Sequence, residues 1–175
     1  MEAVDLFRDC VRAEVAESRA LDIACGAGRD AVYLALSGFE THAWDILPDA
    51  LTRCDDLARR CNVPVRTRLC DAEDPTVFGG EQFDLIACFN FLHRPLMPLI
   101  ATALRPGGVL VYETFVHPQR DMFGKPTRDS HLLKTGELPT FFPGFEIIVS
   151  REGLTGPRRM AASLIARCPL VFVCV

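Results

Sequence analysis

Four polar side chains and one glycine pair stand where short apolar runs give way to turns. They are Asp22, Asp45, Asp71, Asn90 and the turn Gly26-Ala27-Gly28. Glycines spaced in this way let backbone N–H groups face a ligand closely, where a Cβ would block the approach. Asp45 is placed to accept hydrogen bonds from two neighbouring hydroxyls. Asp71 can accept from an exocyclic amino group while nearby backbone groups read the ring edge. Asp22, beside the glycine turn, offers a counter-charge to a primary ammonium.

A second set follows Asn90. His93 could take a proton near neutral pH, and Arg94 could orient an anionic reactant. Tyr112 and Glu113 end a later apolar run, and His117 and His131 lie in the irregular stretch after it. Of these, His93 and Arg94 are the catalytic candidates, the alternative being that His93 caps the following helix and Arg94 pairs with an acid. The pairs Arg59-Arg60 and Arg158-Arg159 read as solvated faces. The His, Asp and Glu residues lack metal-ligand spacing. The eight cysteines include no C-x-x-C pair, and several sit inside apolar runs, so they read as reduced thiols rather than a disulfide framework or a metal centre.

The elements that must position these groups alternate short aliphatic runs with helical patterns, the signature of βαβ units and a parallel sheet. A first helix is predicted over Val4 to Glu17 and a first strand over Ala20 to Cys25. The next helix runs from Arg29 to Gly38, followed by a strand over Phe39 to Trp44. Pro48 opens a helix reaching Cys61, and Val63 to Cys70 forms a third strand. The nearly continuous run Phe83 to Phe89 suits a central strand covered on both faces. Gly108 to Thr114 is the fifth strand, approached through Leu104-Arg105-Pro106-Gly107. Residues 115 to 143 are rich in Pro, Gly and charge, and the expectation is an irregular segment covering the substrate pocket. Phe145 to Arg151 and Met160 to Cys168 are too closely connected for a helical crossover, so they form an antiparallel pair. The whole reads as one α/β domain, doubly wound on a mostly parallel seven-stranded sheet. In such sheets ligands bind outside the carboxyl ends of the strands, where the three acids, Asn90 and the glycine turn all converge.

Two nucleotide readings compete for that edge. Gly26-Ala27-Gly28-Arg29-Asp30-Ala31 satisfies the G-x-G-x-x-[GA] pattern of dinucleotide enzymes, and Asp45 lies near the matching distance. Asp22, however, would be unhelpful beside a pyrophosphate, which prefers a free helix N-terminus. The terminal antiparallel pair is also unlike a two-halved dinucleotide domain.

At these residues the chain resembles the class I S-adenosylmethionine-dependent methyltransferases, and within them the small bacterial group related to the tellurite-resistance methyltransferase. The matching stretches are L-D-I-A-C-G-A-G-R-D-A-V-Y-L-A (Leu21 to Ala35), W-D (Trp44-Asp45), C-D-A-E (Cys70 to Glu73), F-D-L-I-A-C-F-N-F-L-H-R-P-L (Phe83 to Leu96) and L-R-P-G-G-V-L-V-Y-E-T-F (Leu104 to Phe115). The resemblance implies a Rossmann-like fold whose last strand is inserted antiparallel between the fifth and sixth. It implies S-adenosylmethionine as cofactor, with Asp22, Gly26 and Gly28 at its methionine end, Asp45 on the ribose, Asp71 with Ala72 at the adenine, and Asn90 beside the sulfonium. Ala24 departs from the glycine usual at that place, a minimal change from which little loss is expected. Pro169 and the tail to Val175 have no clear counterpart.

The implied activity is methyl transfer to a small-molecule nucleophile such as a thiol or chalcogen. The alternatives left open are a nicotinamide-dependent reductase and a catalytically silent adenosyl-binding or interaction module. Asn90-Phe91-Leu92-His93 is not the N-P-P-[YF] run of amino-methylating nucleic-acid enzymes, and a net charge of −4 without a basic stripe argues against nucleic acid. No apolar stretch approaches the roughly 20 residues that span a bilayer. The expectation is a cytoplasmic protein with no membrane partner, monomeric or weakly dimeric.

Overall fold

A computed structural model describes residues 18–170 of the chain. The helix expected over 4–17 and the end of the apolar tail lie outside those residues. The order is β1 (Arg19–Ile23), α1 (Arg29–Leu36), β2 (Glu40–Asp45), α2 (Pro48–Arg60), β3 (Val65–Leu69), β4 (Phe83–Phe89), α3 (Leu96–Ala103), β5 (Leu104–Phe115), α4 (His117–Phe123), β6 (Glu146–Gly156) and β7 (Arg159–Arg167). They build one seven-stranded sheet in the order β3-β2-β1-β4-β5-β7-β6. The first five strands run parallel, and β7 is antiparallel to both β5 and β6.

The apolar runs of the central strands follow from this layering. Ile86 and Cys88 of β4 and Leu110 and Tyr112 of β5 face a core closed by Leu96, Met97 and Ile100 of α3. Their alternate neighbours Leu85, Ala87, Val109 and Val111 face a second core with Leu34 of α1. Both faces being covered, no polar position is left between them. Helix α2 buries Leu51 and Cys54 against Ala31 and Ala43. Its Pro48 sits at the first turn, where its missing N–H is harmless.

Among the boundaries that differ from the sequence reading, three have a definite physical reason. Strand β5 begins at Leu104, because Leu104 pairs with Phe83 before the ladder shifts register to Leu85 with Val109. The stretch Arg105 to Gly108 is that irregularity rather than an approach loop. Strands β6 and β7 are joined through Pro157 and Arg158 alone, which carries β6 on to Gly156. Strand β7 stops at Arg167, ahead of Pro169, which has no N–H to give a ladder.

The segment after β5 is better built than its composition implied. It contains α4 and two 3-10 turns, Asp129–His131 and Leu138–Phe141. Leu133, Leu138 and Phe142 are buried in the core on the α3 side of the sheet, and Leu132 is buried too. The buried Gln119 ties α4 to the sheet: its Nε2 donates to the Lys125 and Arg158 carbonyls, and its Oε1 accepts from the Met160 N–H at 2.6 Å.

The six described cysteines, Cys25, Cys54, Cys61, Cys70, Cys88 and Cys168, are free thiols. Burial pushes the Cys88 thiol up to about 12. Among the described residues, no helix is long and apolar enough to cross a membrane.

Candidate functional site

The carboxyl end of β1 carries the glycine turn, and β2, β3, β4 and β5 end beside it in register. Asp22 lies inside β1, is 2% exposed and accepts from the Ala31 N–H at 3.0 Å, so it holds the first turn of α1. Burial, then the neighbouring Asp30 carboxylate, push the Asp22 carboxyl well above its usual range, against the pull of the Ala31 hydrogen bond. A folded-state value above the unfolded one means the native protein holds the proton more tightly. Stability is therefore lost as pH rises from the ordinary carboxylate range, about 3.9, towards the raised value. Asp22→Asn is expected to flatten that slope and to leave the protein at least as stable as the parent at pH 7, read by urea unfolding between pH 5 and 8.

Asp45 ends β2 and organises the turn. Its Oδ2 accepts from the Gly26 N–H at 2.8 Å and its Oδ1 from the Leu47 N–H at 2.9 Å. A carboxylate has roughly four lone-pair sites, so two remain. At Gly26 (φ +54) an added Cβ would meet nothing within 4 Å, so the outer side of the turn is open. Gly28 is enclosed instead: an added Cβ would lie 2.2 Å from Cys54 Sγ. The two glycines thus serve different ends, Gly26 access and Gly28 the close seating of α1 on α2.

Ala24 corrects the expectation of little loss. It adopts φ +55, where a glycine would be unstrained and an alanine costs about 1–2 kcal/mol. Asp71, just past β3, accepts from the Glu73 N–H at 2.8 Å and is otherwise exposed, with Ala72 half-buried beside it. Ile46 and Leu47, each 58% exposed, directly follow β2, and Leu69, 59% exposed, ends β3 as the ladder partner of Asp45. Sequence reasoning passed over them. The available signal was a pair of aliphatic residues directly after a strand-ending acid.

The β4 exit is more constrained. Asn90 has φ +59, a conformation asparagine tolerates, and its backbone N–H donates to the Glu113 carbonyl at 2.9 Å. Its Oδ1 accepts from Arg159 Nη1 at 2.6 Å. Arg159 belongs to the pair first read as a solvated face, and the structure corrects this. The antiparallel register brings the start of β7 to the carboxyl end of β5, where Arg159 forks onto Glu113 Oε1 at 3.1 and 2.7 Å. Tyr112, expected at the edge, is instead fully buried and donates to the Phe91 carbonyl at 2.8 Å.

His93 faces Glu73, with Nδ1 3.7 Å from Oε1. Arg94 is not a free cation. It grips Glu137 through two bonds of 2.7 and 2.8 Å and donates to the Leu132 and Ser130 carbonyls. The geometry assigns it to latching residues 130–137 rather than to an anionic reactant. The Arg94 hydrogen bonds hold the Glu137 carboxyl below its usual range despite partial burial. Glu137→Gln is therefore expected to cost about 1 kcal/mol at pH 7, as a partly exposed pair does. A depressed acid contributes only above its unfolded value, so the difference should close as pH falls through the lowered range. Paired urea curves at pH 7 and pH 3 would show it. His117 and His131 lie on the same segment, and His131 is exposed. Among the described residues, no group of three His, Cys, Asp or Glu side chains is arranged to hold a metal ion.

Comparison with known proteins bears on the two nucleotide readings. Residues 20–108, just over half of the sequence, match the methyltransferase domain family. Hemagglutinin 1 of Eikenella corrodens is 28% identical over 151 residues, spanning 80% of this chain and 48% of that protein. The probable S-adenosyl-L-methionine-dependent methyltransferase TehB of Haemophilus influenzae is 28% identical over 89 residues, 49% of this chain and 30% of that protein. The chain thus spans about half or less of these curated relatives. The crystal structure of TehB from Haemophilus influenzae superposes with a TM-score of 0.76 at 19% identity, covering 94% of this chain and 60% of that one. It shares the fold, with the same class of sheet. On the family match, the chain belongs to the methyltransferase domain family.

Proposed function

We propose that this chain binds S-adenosylmethionine at the carboxyl edge of β1 to β4 and transfers its methyl group to a small-molecule nucleophile, a thiol or chalcogen being the best fit. The observation that carries the reading is the Asp45 carboxylate. It is clamped by Gly26 and Leu47 with two lone-pair positions to spare, beside a turn open at Gly26.

When bound, the cofactor supplies an electrophilic methyl group that a lone pair takes by in-line displacement. The chain's own residues bind, orient and exclude water. In this reading Asp45 accepts from the two ribose hydroxyls, while Ile46 and Leu69 cover an adenine whose amino group Asp71 receives, with Ala72 at its edge. Gly26 and Gly28 keep the loop free of side chains at the methionine end. Asp22 answers the ammonium charge there, so Asp22→Asn, though stable, should bind the cofactor about tenfold less tightly. Asn90 stands beside the reacting centre. His93, half-buried and next to Glu73, takes the proton of a thiol acceptor. Arg94 acts at one remove, by fixing the segment that covers the acceptor pocket. Holding acceptor and methyl in near-attack geometry can lower the barrier by roughly 7–11 kcal/mol, and this needs no covalent nucleophile from the protein.

The test is calorimetric titration with S-adenosylmethionine, S-adenosylhomocysteine, NADH and NADPH. Binding of the two adenosyl ligands alone supports the reading. Binding of a nicotinamide cofactor, or of none of the four, overturns it. Release of S-adenosylhomocysteine with small thiols then tests the acceptor class.

A further inference from the structure

We propose that Arg159, Glu113 and Ser163 form a positioning unit that locks the Asn90 side chain with its NH2 outward. The acceptor site then offers a hydrogen-bond donor and selects an anionic nucleophile, which has lone pairs to spare beyond the attacking one, over an amine, whose single lone pair makes the attack. The proposal deepens the reading above by naming which chemical form of acceptor that site takes.

The argument rests on what each group can donate. A guanidinium has five N–H donors and no acceptor, so the atom Asn90 turns towards Arg159 Nη1, at 2.6 Å, must be its amide oxygen. That leaves Nδ2, with its two hydrogens, as the end of Asn90 not held by Arg159. Among the described residues it makes no hydrogen bond, and Asn90 is exposed at the end of β4. Arg159 cannot drift from this position. Its Nε and Nη2 fork onto Glu113 Oε1, its Nε also reaches Thr155 Oγ1 at 3.1 Å, and its guanidinium lies over the Phe115 ring at 5.0 Å. Glu113 is fixed in turn, because Ser163 Oγ donates to its Oε2 at 2.5 Å.

The unit also removes hydrogen-bond acceptors from the edge. Arg159 and Ser163 take three of the roughly four lone-pair sites of Glu113, and the Tyr112 hydroxyl donates inward to Phe91. An amine attacking a methyl group carries N–H bonds that need acceptors, and at the Asn90 corner of the edge Glu113 is taken up by Arg159 and Ser163. A thiolate or similar anion carries lone pairs only, which the Asn90 NH2 can receive. Discrimination by a buried or pre-oriented polar group of this kind is steep, because the wrong partner leaves donors facing donors.

The test reads the Asn90 side-chain amide directly. In 15N-labelled protein saturated with S-adenosylhomocysteine, the Asn90 NH2 signals are assigned from their loss in Asn90→Asp. They are then followed during titration with methyl thioglycolate above its thiol pKa and, separately, with glycine methyl ester above its ammonium pKa, a pair that differs at the nucleophile and carries no carboxylate. The expected result is movement with the thiolate and none with the amine. Arg159→Gln should move the unliganded signals to the shift of a free amide and abolish that preference, and Arg159→Lys should restore part of it. Ser163→Ala, a smaller change, should weaken the lock without removing it. Asn90→Asp replaces the donor by a carboxylate oxygen. It should lower thiol methylation at least about tenfold through KM more than kcat, and narrow the preference over the amine. Signals unchanged by Arg159→Gln, or moved equally by both ligands, or moved by neither, overturn the proposal. Failure of S-adenosylmethionine to bind in the separate calorimetric titration sinks the cofactor reading instead, because the response of Asn90 to Arg159 substitution does not require that ligand.

Discussion

Asp45→Ala is expected to lower the affinity for S-adenosylmethionine by a factor of about a hundred or more. Hydrogen bonds to a charged group contribute about 1.5–3 kcal/mol each, and two ribose hydroxyls would lose theirs together. Each 1.4 kcal/mol is about tenfold, so the loss lies between about two and four decades. The carboxylate also carries the Gly26 and Leu47 N–H groups, and these would be left to water. A second variant separates the two roles. Asp45→Asn keeps an oxygen for one backbone donor but has a single acceptor atom, so the turn stays partly supported while the hydroxyl pair cannot both be received. Calorimetry on the two variants, with melting curves alongside, should give weak binding in both and a larger stability loss in the alanine. Unchanged affinity in Asp45→Ala would place the ribose elsewhere.

Gly28→Ala should be among the most damaging small substitutions for stability. Its backbone sits at φ +75, which costs an L-residue about 1–2 kcal/mol. Its new Cβ would stand 2.2 Å from Cys54 Sγ, 2.7 Å from Cys54 Cβ and 3.0 Å from Cys54 Cα. Relief requires α2 to move away from α1, and overpacking of this kind costs about 1–3 kcal/mol more. For a chain of this length about 1 kcal/mol moves the melting temperature by about 2–4 °C, so a fall of roughly 5–15 °C is expected. Cys54→Ala should rescue only part of it, since the Cβ and Cα of residue 54 remain in the way. Gly26→Ala is the contrast. It has the same strain at φ +54 but no neighbour within 4 Å. Its melting point should fall by only a few degrees, while a cofactor lying against the turn would lose affinity sharply. Equal melting points for the two variants would show that α1 and α2 are not held together at Gly28.

Much of this site could be read along the chain. The strands β4 and β5 announce themselves because burial on both faces demands long apolar runs, and β1 and β2 are read from shorter ones. Asp45 and Asn90 stand at the ends so located and Asp22 one residue inside β1. Gly26 and Gly28 were legible for the same local reason, a turn that needs positive φ directly after a strand. The antiparallel sense of β6 and β7 followed from the brevity of their connection alone.

What the linear order hid was set by partners distant along the chain. Arg159 looked like half of a solvated pair, because nothing nearby in sequence explains it. Only the insertion of β7 between β5 and β6 carries it to Glu113, 46 positions away, and to Asn90, 69 positions away. Arg94 read equally as a group for a reactant or as the partner of an acid, and only the folding back of the 130–137 segment names that acid as Glu137. Residues 115–143 looked irregular because their order comes from Leu133, Leu138 and Phe142 docking on a core built elsewhere, and not from any repeat of their own. Backbone conformation and burial pattern are local or periodic properties, and a sequence states them directly. The pairing of a charge is a property of what lies across space, and only the tertiary structure decides it.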